Sequence, residues 1–404
     1  MLKFFSERLF IVLLVFNGIV WTTNGQDSLA VEKPSVTVAH GSKGFEFKTT
    51  DNRFMLQFQS RLQLRFATLS DQDPITLDDY TAPNTTVFRI NRARLKVGGH
   101  AYKPWLKYYW EYELGGSNLL DFRLMIEKWE WLSFKAGQWK IEYTQERFIS
   151  SGKQQLVDRS ILNRPFTVDR QQGVEVYGHL KGSGALNFNY WIAGLTGTGR
   201  GSRSNDDENL MYFGRFQWNF LGREMKFEGS DVKITPKAAA FISLSAITNQ
   251  SSFTRFSSSG GGNLAGFDAG NAGQYRTNQM NLETALKYKG FSWQSELHNK
   301  EIIDLQDDNT TTLLQGYYVQ AGYFFHQAID WWPAPLELAA RHSAYYPDSF
   351  VWSTKEEETA IGANWFFDGH SNKLSVEVSR FTLHDFNPDP KESWRLRVQW
   401  DISL

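Results

Sequence analysis

Arg53 to Thr68 reads RFMLQFQSRLQLRFAT. Its even positions are Phe54, Leu56, Phe58, Ser60, Leu62, Leu64, Phe66 and Thr68, and six of these eight are apolar. Its odd positions carry Arg53, Gln57, Gln59, Arg61, Gln63 and Arg65. Successive side chains of a strand point to opposite faces, so this is a strand with one greasy face and one basic, amide-rich face. It is longer than the roughly 5–6 residues of an ordinary strand and matches the roughly 9–11 that a tilted strand needs to cross a bilayer.

The same alternation recurs along the chain. Val87 to Ala101 sets Arg92, Arg94 and Lys96 against Ala93, Leu95 and Val97, with a phase change near Asn91 that a β-bulge explains. Trp105 to Leu114 puts Lys107, Tyr109, Glu111 and Glu113 on one face, and Leu120 to Ile126 puts Asp121 and Arg123 there. Further strands are expected at 132–139, 172–180, 186–196, 210–220, 237–248, 275–288, 291–302, 313–326, 336–345, 357–367, 373–383 and 393–403. That is an all-β chain of about 16 transmembrane antiparallel strands, with short turns alternating with long loops, as in single-chain bacterial barrels. A sheet in lipid cannot keep an open edge, so it closes. The stretch 140–171 interrupts the pattern as a long basic loop. A Gly/Ser-rich loop at 249–273 carries no sign of order, and the connection 221–236 is too long for a short turn.

Composition agrees. Aromatic residues make up 15%, with 15 Trp, as interfacial belts require. There is no cysteine, which excludes disulfides, thiol nucleophiles, Cys-ligated metal and a lipid-anchored N-terminal Cys. A net charge of −1 argues against a nucleic-acid binder. Residues 1–26 have the layout of a signal peptide, Lys3 and Arg8 preceding an apolar run from Leu9 to Trp21, with an uncleaved anchor as the alternative. Residues 27–50 are expected as an exposed N-terminal segment and 51–404 as a barrel in the outer membrane of a Gram-negative cell. The competing soluble reading, a β-sandwich, requires shorter strands and a polar outer face.

Several stretches together resemble the phosphate-selective porin O and P family: Phe88–Leu95 (FRINRARL), Lys135–Lys140 (KAGQWK), Asp169–Gly173 (DRQQG), Gln315–Phe324 (QGYYVQAGYF), Leu336–Arg341 (LELAAR), Ile361–Trp365 (IGANW) and Arg395–Gln399 (RLRVQ). The resemblance implies a 16-stranded barrel, commonly trimeric, whose third outer loop folds into the pore; 140–171 stands where that loop belongs. It implies passive diffusion of small anions, phosphate or another oxyanion, and no cofactor.

A pore selects by the groups that line it, and the planar fork of arginine suits phosphate. The expected lining cations are Arg53, Arg61, Arg65, Arg92, Arg94, Lys96, Lys107, Arg123, Lys135, Arg215, Arg341, Arg395 and Arg397, with Arg159, Arg164 and Arg170 on the long loop. The counter-reading is a wall of salt bridges, since Glu111, Glu113, Asp121, Glu175, Glu283, Glu296, Glu337 and Asp401 share the same face, Arg341 pairing with Glu337. Alternatives in function are a general or cation-leaning diffusion pore, or a surface barrel for adhesion or solute binding. The eight His show no ligand spacing, and no Ser/His motif of a barrel enzyme is recognisable.

Overall fold

The computed structural model describes residues 34–41, 43–257, 261–349, 354–385 and 388–404. The expected signal segment 1–26 lies outside them. A hairpin of β1 (Val36–Gly41) and β2 (Gly44–Thr49) comes first. Sixteen strands follow: β3 (Met55–Leu69), β4 (Thr85–His100), β5 (Leu106–Glu113), β6 (Asn118–Trp129), β7 (Leu132–Lys140), β8 (Arg170–Lys181), β9 (Asn187–Leu195), β10 (Met211–Trp218), β11 (Ala239–Ser251), β12 (Tyr275–Tyr288), β13 (Phe291–Asp304), β14 (Thr310–Tyr323), β15 (Leu336–Tyr346), β16 (Lys355–Asp368), β17 (Asn372–His384) and β18 (Lys391–Ser403). Each pairs antiparallel with the next, and β18 pairs with β3, Leu396 opposite Thr68 and Ser403 opposite Arg61, which closes the barrel. Each of the sixteen corresponds to one expected strand.

The alternation is inverted relative to a soluble protein. Odd positions of β3 point inward, where Arg61, Gln63 and Arg65 are buried, while Leu56, Phe58 and Phe66 are exposed. On β18, Arg395, Arg397, Gln399 and Asp401 are buried and Trp394 and Trp400 exposed. A polar interior and an apolar exterior suit lipid outside and water inside. At the end with mostly short turns, exposed Trp129, Trp131, Trp218, Tyr288, Trp331 and Phe367 form an aromatic belt at the level of the headgroups. The bulge expected near Asn91 is present: Gln63 pairs with Arg92 and Leu64 with Ile90, so Asn91 is the extra residue.

Two departures stand out. The N-terminal segment, for which no strand was expected, contributes β1 and β2, and β2 pairs with β3 from Phe45 opposite Phe58 to Lys48 opposite Met55. The Gly/Ser-rich loop is not featureless, because Phe256 and Leu264 are buried in clusters with residues of the long loop after β7. Two anchoring apolar residues are enough to fold a glycine-rich segment inward, and composition alone hides them.

Candidate functional site

The eight outer loops are L1 to L8 in chain order. L3, residues 141–169, folds into the barrel, and its sequence explains why. Ile141, Tyr143, Ile149, Leu156, Val157, Ile161, Leu162, Phe166 and Val168 are all buried. That much apolar surface cannot face water, at about 25 cal/mol per Å², so the loop carries its own core. Short helices α2 (Gln145–Phe148) and α3 (Asn163–Phe166), preceded in the chain by α1 (Leu77–Thr81) in L1, give it local structure. Thr144 caps α2 by accepting the Arg147 N–H at 3.1 Å. The wall makes room where the loop arrives. A Cβ at Gly362 would stand 2.6 Å from Leu156 Cδ2, and one at Gly316 2.6 Å from Leu162 Cδ2.

Buried loop backbone must be hydrogen-bonded, and the wall supplies the partners. Glu283 accepts the Gln145 N–H at 2.8 Å, Glu296 that of Glu146 at 2.7 Å, Glu377 that of Val157 at 2.8 Å and Glu358 that of Ile161 at 3.2 Å. Glu337 accepts the Gln155 side-chain amide at 2.7 Å, and Glu356 accepts Arg164 at 2.7 Å. Facing the loop carbonyls, Lys300 donates to Pro165, Lys373 to Gln154, Arg341 to Asp158 and Arg215 to Glu142 at 2.7–3.1 Å. The acids of β12, β13 and β15 to β17 therefore hold L3 against one side of the lumen.

The expected cations divide accordingly. Arg215 pairs with Glu283 at 2.6 Å, both fully buried. Arg341 pairs with Glu358 at 2.8 Å and lies 3.7 Å from Glu146. Its expected partner Glu337 is engaged elsewhere, because four steps along a strand is about 13 Å at roughly 3.3 Å per residue, beyond ion-pair reach. Arg395 meets Asp73 and Glu377, and Arg164 meets Glu356. Arg94 is held by Glu111 at 2.9 Å and Glu113 at 2.7 Å, and Lys135 between Glu142 and Glu175 at 2.7 and 2.6 Å. Arg170 stands on β8, opposite Lys140, rather than on the loop where it was expected, and is held by Asp121 at 2.6 Å. Lys107 pairs with Glu127 at 2.5 Å, and Arg123 lies over the Tyr109 ring, 3.4 Å from Asp121. Arg65 contacts Asp71 and Asp158, and Arg397 does the same. Arg61 donates to Ser150 and Ser403 hydroxyls. Arg53 departs from the expectation: it precedes β3, is exposed and lies against Phe54 rather than on the wall.

What remains is a basic pocket on the outer side of L3. A cavity of about 220 Å³ is lined by Arg65, Arg89, Arg92, Arg159, Arg164 and Arg397 against Asp71, Asp73 and Asp158. Among the described residues, two of these guanidinia have no carboxylate partner. Arg92 donates to Gln63 at 2.9 Å, and Arg159 donates to the carbonyls of Glu146, Arg147 and Ile149. Lys96 makes no ion pair among the described residues. Burial, then the charges of Arg147 and Arg92, pushes Arg159 down to about 9. Burial alone would raise Asp158, yet Arg65, Arg92, Arg397 and Arg159 together hold it well below the carboxylate range. The pocket has more positive charge than its own acids neutralise.

Arg89 was missed, although its pairing with Asp71 at 2.5 Å puts it in this pocket. The bulge at Asn91 was the available signal, since it turns Arg89 to the same side as Arg92. Of the six acids that hold L3, Glu283, Glu296 and Glu337 were expected as competitors for the arginines, and Glu356, Glu358 and Glu377 were passed over, because sequence does not tell which wall a loop leans on.

The family model described as phosphate-selective porin O and P matches residues 61–397. Comparison with curated protein sequences gave no match. Among solved structures, the anion-selective porin of Comamonas acidovorans is 10% identical, with 86% of this chain and 99% of that one covered at a TM-score of 0.57. The outer-membrane channel DcaP of Acinetobacter baumannii is 11% identical, with 89% and 99% covered at a TM-score of 0.55. In-vitro folded OmpT of Vibrio cholerae, in its trimer form, is 9% identical, with 86% and 99% covered at 0.51. At these identities the likeness is one of fold.

Proposed function

Since this chain belongs to the phosphate-selective porin O and P family, and is an outer-membrane channel, we propose that it passes small anions, phosphate or a similar oxyanion among them, by passive diffusion. The observation that supports this is the pair Arg92 and Arg159, two guanidinia with no carboxylate partner among the described residues, in a pocket of six arginines and three aspartates. A planar guanidinium donates two parallel hydrogen bonds to an oxyanion. With the acids of β12 to β17 engaged by L3, the anion would meet Arg92 and Arg159 first and Lys96 and Arg123 further in. Several such weak sites, rather than one tight site, let a solute enter and leave. A homotrimer in the outer-membrane bilayer is part of the same proposal, in line with the trimer form of the OmpT structure.

A second reading has its own observation. The cavity on the periplasmic side, about 510 Å³, is lined by Glu127, Glu130, Glu142 and Glu224 against Arg123, Lys135 and His179. That mixture favours a general or cation-leaning pore. The reversal potential of the reconstituted protein across a KCl gradient separates the two, repeated with phosphate on one side. A potential of anion sign, with phosphate reducing the chloride current and Arg92→Gln relieving that block, supports the oxyanion reading. A potential near zero or of cation sign overturns it.

A further inference from the structure

We propose that the connection 219–238 is a second constriction element: it meets L3 from the periplasmic mouth, closes the β11–β17 half of the lumen with it, and confines passage to the side lined by β18 and β3 to β9. The proposal concerns the path and holds whichever ion passes.

This connection joins β10 to β11 at the end where most turns are short, such as 130–131 and 289–290. A linking turn has no need of the contacts it makes. Gly229 donates its N–H to the Lys153 carbonyl of L3 at 2.8 Å, and Glu228 takes Lys153 Nζ at 2.6 Å. A Cβ on Gly229 would lie 2.7 Å from the Gln155 nitrogen, so the two backbones touch with no space for a side chain. Ser230 donates its hydroxyl to Glu337 at 2.7 Å, and the other oxygen of the same carboxylate holds Gln155 of L3. One buried acid thus ties both in-turned segments to the wall. Phe227 packs edge-on against Phe148 of L3, ring centroids 4.8 Å apart, and Met225 joins Phe241 in a buried cluster.

The open space lies on the other side. The outer basic pocket involves β3, β4 and β18, and the periplasmic cavity involves β6 to β9. Behind the two segments, Ser292 and Ser375 are each 1% exposed, whereas Lys96 is half-buried. Gln155 of L3 covers both: its side-chain amide donates to the Ser292 hydroxyl at 2.6 Å, and its carbonyl accepts, at 2.6 Å, the side chain of Asn364, to which Ser375 donates.

The chain has no cysteine of its own, which permits a direct test. Lys96→Cys and Arg123→Cys, and separately Ser292→Cys and Ser375→Cys, are treated in planar bilayers with a sulfonatoethyl thiosulfonate reagent while conductance is followed. Folded barrels are first selected by heat-modifiable gel mobility. Cysteines at 96 and 123 should react and lower the conductance. Those at 292 and 375 should react about tenfold or more slowly, in keeping with a protected site that opens only by local unfolding. Replacing 221–236 by a short turn should raise the conductance and abolish the protection. Gly229→Leu, which keeps the length, should move both quantities in the same direction should the shortened chain fail to fold. Equal rates at 292 and 96 in the full-length chain would overturn the one-sided path. Unchanged protection after either alteration would show that L3 alone closes that half and would overturn the role of 219–238.

Discussion

Glu377 of β17 accepts the backbone N–H of Val157, on the in-turned loop, at 2.8 Å. Both groups are buried, and the same carboxylate faces Arg395 at 3.5 Å and the Ser379 hydroxyl. Glu377→Ala should leave that N–H unsatisfied, at about 1–3 kcal/mol, and the other wall acids should keep the barrel closed. The variant should unfold at lower denaturant and show noisier open-channel current. Glu377→Gln retains an acceptor and should lose less. Identical behaviour of the two variants would show that the N–H contact contributes nothing.

Arg92 and Arg159 should set the sign of selectivity. Removing one such charge at ~4 Å from a passing ion changes its energy by about 1 kcal/mol in water-like surroundings, roughly fivefold in a permeability ratio. Arg159→Gln and Arg92→Gln should each shift the reversal potential away from the chloride value. Arg380→Gln is the control, because Arg380 is exposed and pairs with exposed Glu392. A shift as large in the control would point to net charge rather than to the pocket.

The strands were legible because period two survives in every wall segment, and even the bulge at Asn91 announced itself as a change of phase. The constriction was legible only in part. Its basic residues and length marked 140–171 as exceptional, but which wall it leans on depends on Glu283, Glu296, Glu337, Glu358 and Glu377, which come together only through the strand register. Arg341 illustrates the limit: spacing within one strand suggested Glu337, whereas the partner Glu358 sits on the neighbouring strand, facing Ser343. The inward course of 219–238 rests on Gly229, Ser230 and Phe227, residues ordinary in any turn.

L3 should respond to pH through Glu146. Burial, with Glu296 adding to it and Arg341 opposing, raises its carboxyl from 4.5 to about 7. In the folded state it therefore holds a proton between those values that the unfolded chain has released. Its stabilising contribution is complete below pH 4.5 and is lost as pH rises through 7, on the order of 3 kcal/mol at most. Proteolytic nicking of L3 should be slower at pH 5 than at pH 8, and Glu146→Gln should flatten the profile. A profile unchanged by that substitution would assign the pH response to other groups.

The N-terminal hairpin should stabilise the seam where the barrel closes. β18 ends at Ser403, and the backbone of Leu404 just after it bonds Ser60 at 2.8 and 2.9 Å. Beyond that point the edge of β3 from Met55 to Phe58 is covered by β2 instead. Gly44 is where the hairpin meets this edge: its φ is +81°, and a Cβ would fall 2.1 Å from the Phe58 carbonyl oxygen. Gly44→Ala should separate β2 from β3 without removing any other contact of the barrel. Each lost backbone bond is worth about 0.5–1.5 kcal/mol, so the loss should be a few kcal/mol in all. The temperature at which the folded band disappears on an unheated-to-heated gel series should fall, with single-channel conductance unchanged. Deletion of 36–49 should give the same drop. A Gly44→Ala barrel as heat-resistant as the parent, beside a deletion that is weaker, would place the stabilising contacts in β1 or at Thr49 rather than along the β2–β3 ladder.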